Sequence, residues 1–323
     1  MFDLLTEIGY LRFSHLIGLV LSFALTIILM RAMASKMPHD QGRAFAVDGT
    51  LSKGKIRGVG IIFVLVFAVC SIVFDFLDVE RFIYILVIVA TMLTGFFDDA
   101  SEKPWNEYLK GALDLMLGAA VDVTYLYYNG NCFYVAFPWN ITITIPYVPA
   151  AILIMALVWM SINVTNCTDG VDGLSASLCI ITLMSFMLFG IMGAYDMNTY
   201  FILYFIVVLA AYLWYNANPS TMLMGDAGSR AMGMMIAVTA LMSGYPLLYI
   251  PFAIVMILDG GLGLVKVALL RFLKIKILVN TRCPLHDQAR KVKEWSNTHV
   301  VFRFCVIQSM INIILLAFMF SVG

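Results

Sequence analysis

The chain has 323 residues, of which 62% are hydrophobic and only 12% are charged, and its mean hydropathy is +0.93. Soluble globular proteins are roughly half apolar and carry about 25% charged residues, so this composition excludes a soluble protein. The 20 basic and 20 acidic residues cancel, so the net charge says nothing about partners. We expect no nucleic-acid partner for a chain of this membrane-protein composition. The six cysteines are scattered without a CxxC pair, which indicates neither a disulfide framework nor a zinc site.

Ten apolar segments follow one another along the chain, each close to the ~20 residues that a membrane-spanning helix needs. They are 15–34, 58–77, 81–98, 108–128, 147–164, 173–193, 198–216, 228–244, 247–272 and 300–321. They predict an all-α polytopic membrane protein, with one integral membrane domain over residues 1–323. Ten spans place both termini on the same side of the membrane.

The distribution of basic residues predicts the orientation. With the termini outside, eighteen of the 20 lysines and arginines fall in the inside connections and the adjoining helix ends, and only Arg12 and Arg81 lie outside. Because inside loops carry the excess of basic residues, both termini are expected outside. On that side, Cys132–Tyr147 alternates apolar and polar residues around Pro138-Trp139-Asn140 and predicts a small β-hairpin.

The first of three polar clusters on the inside loops ends the third segment. It is Gly95-Phe96-Phe97-Asp98-Asp99. Negative charge at a helix C-terminus is disfavoured by roughly 0.3–1 kcal/mol per residue, so two adjacent carboxylates there need compensation. A divalent cation or a lysine would supply it, although a simple stop at the membrane boundary is the alternative.

The second cluster, Asn163–Leu174, joins the fifth and sixth segments. Asn163, Asn166 and Asp169 recur every three residues, so a helix would place them on one face. Glycines after Asp169 and Asp172 allow the backbone to approach a ligand closely. The alternative is that one of these aspartates caps the next helix.

The third cluster is Gly225-Asp226-Ala227-Gly228-Ser229, immediately before the eighth segment. Magnesium takes hard oxygen donors, usually one or two carboxylates with waters and substrate phosphates, so Asp226 is predicted to be a magnesium ligand. The helix N-terminus after it could receive a phosphate. The alternative is again an N-cap.

Three acids lie deeper in the predicted spans, and Asp122, the one expected near the outer interface, is assigned no role. Asp114 follows Lys110 by four residues, a spacing that permits an ion pair along a helix. Asp259 precedes Gly260, Gly261 and Gly263, which predict a broken or bent ninth helix, and a structural pair with Lys266 is possible for it.

The three clusters, in this order, resemble the polyprenyl-phosphate N-acetylhexosamine-1-phosphate transferase superfamily. Its members carry a paired aspartate, an asparagine-rich DGxDG element and a GDxGS element on cytoplasmic loops. The resemblance spans about Arg31 to Phe304. Within the superfamily, Asn163–Leu174, which includes Thr168, and Pro284-Leu285-His286 are most similar to the branch that transfers phospho-N-acetylmuramoyl-pentapeptide. That branch usually has three consecutive histidines, whereas Asp287 and Gln288 follow His286 here.

This resemblance implies transfer of phospho-MurNAc-pentapeptide from its UDP conjugate to undecaprenyl phosphate, giving lipid I and UMP. It also implies Mg²⁺ as cofactor, a multi-pass protein of the bacterial plasma membrane, an active site on the cytoplasmic face and a possible homodimer. The implied catalytic residues are Asp98, Asp99, Asp226 and His286, with Asp226 as the magnesium ligand. The implied substrate-binding residues are Lys53, Lys110, Asn163, Asn166, Asp169, Asp172, Gly225 and Ser229.

Two other functions fit parts of the sequence. A transferase of the same superfamily could use UDP-GlcNAc as donor, and Asp259, where a glutamate is expected, points that way. An ion-coupled transporter would use Asp114, Asp259 and the broken ninth helix as a path near the bilayer midplane, but it leaves the three clusters on one face unexplained.

Overall fold

The computed structural model describes residues 2–40, 42, 52–75, 77–101, 105–135, 141–193 and 199–321, with the backbone alone for residues 2–12. Helices dominate this part of the chain. They are α1 (Phe2–Met33), α2 (Gly60–Phe74), α3 (Val79–Ala100), α4 (Glu107–Asn129), α5 (Tyr147–Thr168), α6 (Leu174–Met192), α7 (Thr199–Asn216), α8 (Gly225–Met242), α9 (Pro246–Phe252), α10 (Ile254–Leu273), α11 (Leu285–Lys291) and α12 (Asn297–Ser321).

All ten predicted segments coincide with helices, and the described residues include six helices that are long and apolar enough to cross a membrane. These six are α1, α3, α5, α6, α7 and α12, and the bent pair α9 and α10 makes a seventh if it counts as one span. Helix α2 is short at 15 residues, and α4 and α8 carry charged residues that lower their apolarity. The count of ten crossings and the side of the termini therefore remain predictions.

In the described parts of the chain, four short strands form two small sheets. Strands β2 (Cys132–Val135) and β3 (Ile141–Thr144) pair antiparallel, with Cys132 opposite Thr144, which confirms the predicted hairpin. Its expected tip, Pro138-Trp139-Asn140, lies outside the described residues. Strand β1 (Ile56–Arg57) pairs in parallel with β4 (Met222–Leu223). This second ladder brings Arg57 next to the start of α8.

Helix α8 lies at the centre of the bundle. Every residue from Ala227 to Leu241 is buried, and the helix packs mainly against α3 and α5. Its small residues, among them Gly228, Ala231 and Gly233, allow such close helix packing. Because protein rather than lipid surrounds α8, the helix can carry polar residues that a lipid-facing span could not.

The predicted bend in the ninth segment is present, but it lies at another residue. Helices α9 and α10 meet at an angle of 70° at Ala253, well before the glycines. A Cβ on Gly260 would lie 2.4 Å from the backbone oxygen of Val164, so this glycine permits close packing of α10 on α5. Gly260 and Gly261 belong to a widened helical turn, Ile257–Gly261, and Gly263 lies in the regular helix after it.

A buried ion pair joins α4 to α8. Asp114 and Arg230 are 2% and 6% exposed, and their carboxylate and guanidinium are in direct contact. Asn163 donates to the second oxygen of Asp114 at 3.2 Å. Lys110, whose spacing permits a pair with Asp114, instead forms its salt bridges with Asp98 and Asp226.

Replacing Asp114 with asparagine removes the counter-ion of a buried guanidinium, and breaking such a pair from one side costs about 3–5 kcal/mol. We therefore expect a clearly lower midpoint of thermal unfolding in detergent for Asp114→Asn. Asp122→Asn is the matched control, because Asp122 is buried on the same helix and forms no salt bridge among the described residues. Equal midpoints for wild type and Asp114→Asn would contradict this role of the pair.

Candidate active site

Arg57 forms salt bridges with carboxylates from three parts of the chain. Its guanidinium donates to Asp99 Oδ1 at 2.8 and 3.1 Å. It also lies 3.4 Å from Asp40 Oδ1 and 3.5 Å from Asp226 Oδ1. Burial lowers the pKa of Arg57, but Asp99 and Asp226 outweigh that effect and raise it. The guanidinium is therefore a permanent positive charge at the ends of α3 and α8.

Lys110, in the first turn of α4, also forms salt bridges with two of the aspartates. Its ammonium forms a salt bridge with Asp98 and lies 3.8 Å from Asp226 Oδ2. Asp98 Oδ1 also accepts the backbone N–H of Trp105 at 2.8 Å. The predicted need for compensation at the C-terminal end of α3 is confirmed, because Lys110 and Arg57 each contact one of its two aspartates.

Glycines allow α3 and α8 to meet closely enough for this cluster. Gly225 has φ +67°, and a Cβ there would lie 2.2 Å from Asp99 Oδ2. A Cβ on Gly95 would lie 2.3 Å from the backbone oxygen of Asp226. The backbone N–H of Asp226 can consequently donate to Asp99 Oδ2 at 2.6 Å, which fixes the two carboxylates relative to each other.

The cluster holds more negative than positive charge. Among the described residues, Asp40, Asp98, Asp99 and Asp226 share Arg57 and Lys110, which leaves a formal excess of two negative charges. A site with this excess repels a phosphate unless a further cation enters. The two carboxylate oxygens of Asp226 lie 3.5 Å from Arg57 and 3.8 Å from Lys110. Hard oxygen donors with surplus negative charge fit a divalent cation such as magnesium.

A cavity of about 430 Å³ opens beside Asp226. Its walls bring together the second and third polar clusters with the β1 strand and α11. They include Asp40, Lys55, Arg57, Asn166, Asp169, Asp172, Gly225, Asp226, His286, Asp287 and Arg290. A cavity of this size accommodates a small ligand, and both cationic and acidic side chains line it.

The loop after α5 forms one wall of the cavity. Asp172 Oδ2 accepts the backbone N–H of Ser220 at 3.0 Å and lies 3.3 Å from Lys55 Nζ, which also donates to Ser220 Oγ at 2.8 Å. Gly173, at φ +83°, precedes α6, and no side chain caps that helix. Neither Asp169 nor Asp172 therefore acts as its N-cap, and Asp172 instead ties this loop to Lys55 and Ser220.

His286 is held against the same loop by Asp259. The two oxygens of Asp259 accept the backbone N–H and Nδ1 of His286 at 2.7 and 2.8 Å, and Asp259 is fully buried. The opposite ring nitrogen lies next to Gly170, where a Cβ would come within 2.3 Å of it. Lys266, the other partner considered for Asp259, donates to the backbone oxygens of Leu278 and Thr281.

The structure brings most of the predicted site residues together, either in the carboxylate cluster or in the cavity wall, and it sets Asn163, Ser229 and Lys53 apart from both. Asn163 bonds to Asp114 and to the backbone oxygen of Trp159. Ser229 is fully buried and accepts a bond from Asn166 at 2.9 Å. Lys53 is exposed and does not line the cavity, whereas Lys55 does. Asp226 is the second residue of α8, and the residue at the N-cap position is Met224, without a side-chain cap.

Several residues of the site carry no clear signal in the sequence. Arg57 and Lys55 are indistinguishable there from other basic residues of an inside loop, and Asp40 belongs to no motif. Arg290 donates to Asp287 at 2.7 Å and to the backbone oxygen of Gly170 at 3.2 Å. Only the spacing of three residues between Asp287 and Arg290, which favours a pair on one helix, could have indicated this contact.

Comparison with known proteins gives a consistent result. Residues 81–244 match the family described as glycosyl transferase family 4. A phospho-N-acetylmuramoyl-pentapeptide-transferase of Treponema pallidum is 37% identical over 94% of this chain and 89% of its own length. Proteins of the same name from Helicobacter pylori and Wolbachia pipientis are 26% and 25% identical, over 95% and 83% of this chain and 94% and 86% of their own lengths. The chain therefore belongs to glycosyl transferase family 4 and, within it, to the phospho-N-acetylmuramoyl-pentapeptide transferases.

Proposed function

We propose that this chain transfers phospho-MurNAc-pentapeptide from its UDP conjugate to undecaprenyl phosphate, forming lipid I and releasing UMP. One observation carries the proposal. Carboxylates from the end of α3 and the start of α8 meet two basic residues beside a cavity walled by the DGxDG loop and His286. The reaction needs such a place, because two phosphate-bearing substrates must meet there.

In the proposed reaction, a phosphate oxygen of the lipid bonds to the phosphorus attached to the sugar. The bond from that phosphorus to the bridging oxygen breaks, and UMP leaves. Lys110, between Asp98 and Asp226, contacts the phosphates, while Asp98 orients or deprotonates the lipid phosphate and Asp99 supports the site. Asp226 would hold Mg²⁺, which when bound neutralises charge that develops on the departing UMP.

The walls of the cavity would bind the nucleotide and the sugar. Asn166, Asp169 and Asp172 line it and are proposed to contact the UDP part, with Gly225 at the turn into α8. His286, oriented by Asp259, would contact the diphosphate or the sugar. Asn163 and Ser229 act on the site through Asp114 and Asn166, to which they are bonded.

The membrane arrangement follows from the basic residues. We propose ten crossings, both termini outside, a periplasmic hairpin at β2 and β3, and an active site on the cytoplasmic face of a bacterial plasma membrane. The excess of lysine and arginine on the loops around the cavity supports this orientation. There the lipid phosphate can reach the site at headgroup level while its chain stays in the bilayer. A homodimer is part of the same proposal.

The two acids that a transporter would use, Asp114 and Asp259, both contact a basic side chain within the protein. Asp114 is paired with Arg230, and Asp259 with His286. Both acids thus have structural partners, which favours the transferase over an ion-coupled carrier.

The proposed function is tested with purified protein, undecaprenyl phosphate and Mg²⁺, offered UDP-MurNAc-pentapeptide or UDP-GlcNAc in parallel. We expect release of UMP with the first donor only. Release with UDP-GlcNAc alone would assign the chain to the other branch of the superfamily. Release with neither donor would contradict a transferase.

Lys55 lines the cavity and Lys53 does not. We therefore predict that Lys55, rather than Lys53, contributes to binding of the UDP-sugar. Lys55→Gln removes a charged contact to Asp172, and such contacts contribute roughly 1.5–3 kcal/mol. We therefore expect KM for the UDP-sugar to rise roughly 10-fold or more. Lys53→Gln is the matched comparison, since its side chain is exposed away from the cavity. If steady-state kinetics showed a larger rise in KM for Lys53→Gln than for Lys55→Gln, Lys53 rather than Lys55 would be the binding residue.

A further inference from the structure

The break between α9 and α10 lies in a buried part of the bundle. Ala253, at the break, has φ −119° and ψ 18°, outside the helical range. Phe252 and Ala253 are both fully buried. A helix that breaks where water is absent exposes backbone N–H and C=O groups, and each needs another partner. The side chains that supply these partners therefore decide whether the 70° bend is held.

Gln308 of α12 bonds to both sides of the break. Its Oε1 accepts the backbone N–H of Val255, in the first turn of α10, at 2.7 Å. Its Nε2 donates to the backbone oxygen of Pro251, in α9, at 3.1 Å. One amide side chain, itself fully buried, thus links the last turn of α9 to the first turn of α10.

Asn312, one turn further along α12, also bonds to the break and to Gln308. Its Nδ2 donates to the backbone oxygen of Phe252 at 3.3 Å and to Ser185 Oγ of α6 at 2.6 Å, and its Oδ1 accepts from Gln308 at 2.7 Å. Thr182 of α6 donates to the same Phe252 oxygen at 2.9 Å. A buried amide is costly unless it is bonded, and these two amides are bonded to the break.

The direction of α10 matters because α10 carries Asp259, just beyond the break. Asp259 is bonded twice to His286, through the backbone N–H and through Nδ1. The ring of His286 in turn lies against Gly170 in the cavity wall. A change in the bend at Ala253 would move Asp259, and His286 with it.

We propose that Gln308 and Asn312 are positioning residues, which fix the bend between α9 and α10 and thereby hold His286 in the active site. The role of His286 in the reaction rests on the proposed function. Its placement by Asp259 does not, because it rests on the hydrogen bonds alone. The two tests are chosen accordingly: one measures placement without activity, and the other measures the reaction.

The first test is hydrogen exchange of the intact protein in detergent. Gln308→Met keeps the size of the side chain but removes both bonds across the break. We expect amides of Leu285–Lys291 to exchange roughly 10-fold faster or more, because the His286 N–H depends on Asp259. Amides of α2 should be unchanged. Thr26→Val is the matched control, since it removes one buried hydrogen bond that stays within α1. Unchanged exchange at 285–291, or equal acceleration everywhere, would overturn the proposal.

The second test is a double-mutant cycle on turnover. Displacing a group by about 1 Å can cost on the order of 100-fold in rate, so Gln308→Met should lower kcat by roughly 10- to 100-fold. In a His286→Ala background it should add less than about 2-fold, because its effect passes through His286. Additive losses would show a merely structural role and overturn the proposal.

A milder variant covers the case in which Gln308→Met does not fold. Asn312→Ser removes the bond to Phe252 and leaves the bond between Gln308 and Val255. We expect a smaller acceleration of exchange at 285–291, again without change in α2, and the absence of that acceleration would count against the proposal. If wild type shows no transfer at all, the proposed function fails while the exchange experiment still decides the placement of His286.

Discussion

Repulsion among carboxylates is the constraint on which the site depends. Among the described residues, Asp40, Asp98, Asp99 and Asp226 form salt bridges with two basic groups, Arg57 and Lys110. The dipole of α3 disfavours its two aspartates, whereas the N-terminus of α8 favours Asp226. The contacts of Arg57 and Lys110 with these carboxylates offset part of that repulsion. The surplus negative charge is the reason to propose a divalent cation when polyanionic substrates enter.

The rest of the fold can be understood from what this cluster requires. Helix α8 is enclosed by protein, so Asp226 and Arg230 can stand on a helix in the middle of the bundle. Gly95 and Gly225 remove the Cβ atoms that would separate α3 from α8. The β1–β4 ladder, two residues long, carries Arg57 to the start of α8. The bent pair α9 and α10 brings Asp259 into hydrogen-bond contact with His286, which lines the cavity.

The sequence predicts well what is local. All ten apolar segments coincide with helices, alternation marks the hairpin, and the second and third polar clusters mark part of the cavity wall. It does not predict which basic residue of a loop reaches the carboxylates, because the strand register that brings in Arg57 depends on residues 222 and 223. Nor does it place the bend at Ala253, since the glycines that indicate it serve helix packing. The partners of Asp114 and Asp259 are likewise distant in sequence, so local spacing points to the wrong lysines.

We propose that magnesium offsets the surplus negative charge around Asp226 during turnover. The most direct measurement is UMP release as a function of Mg²⁺ concentration after treatment with a chelator. It compares wild type with Asp226→Asn and with Asp78→Asn, a control at the opposite end of α3. The account predicts that Mg²⁺ restores activity to wild type and Asp78→Asn but not to Asp226→Asn. Full activity in the presence of chelator, or wild-type activity of Asp226→Asn, would contradict it.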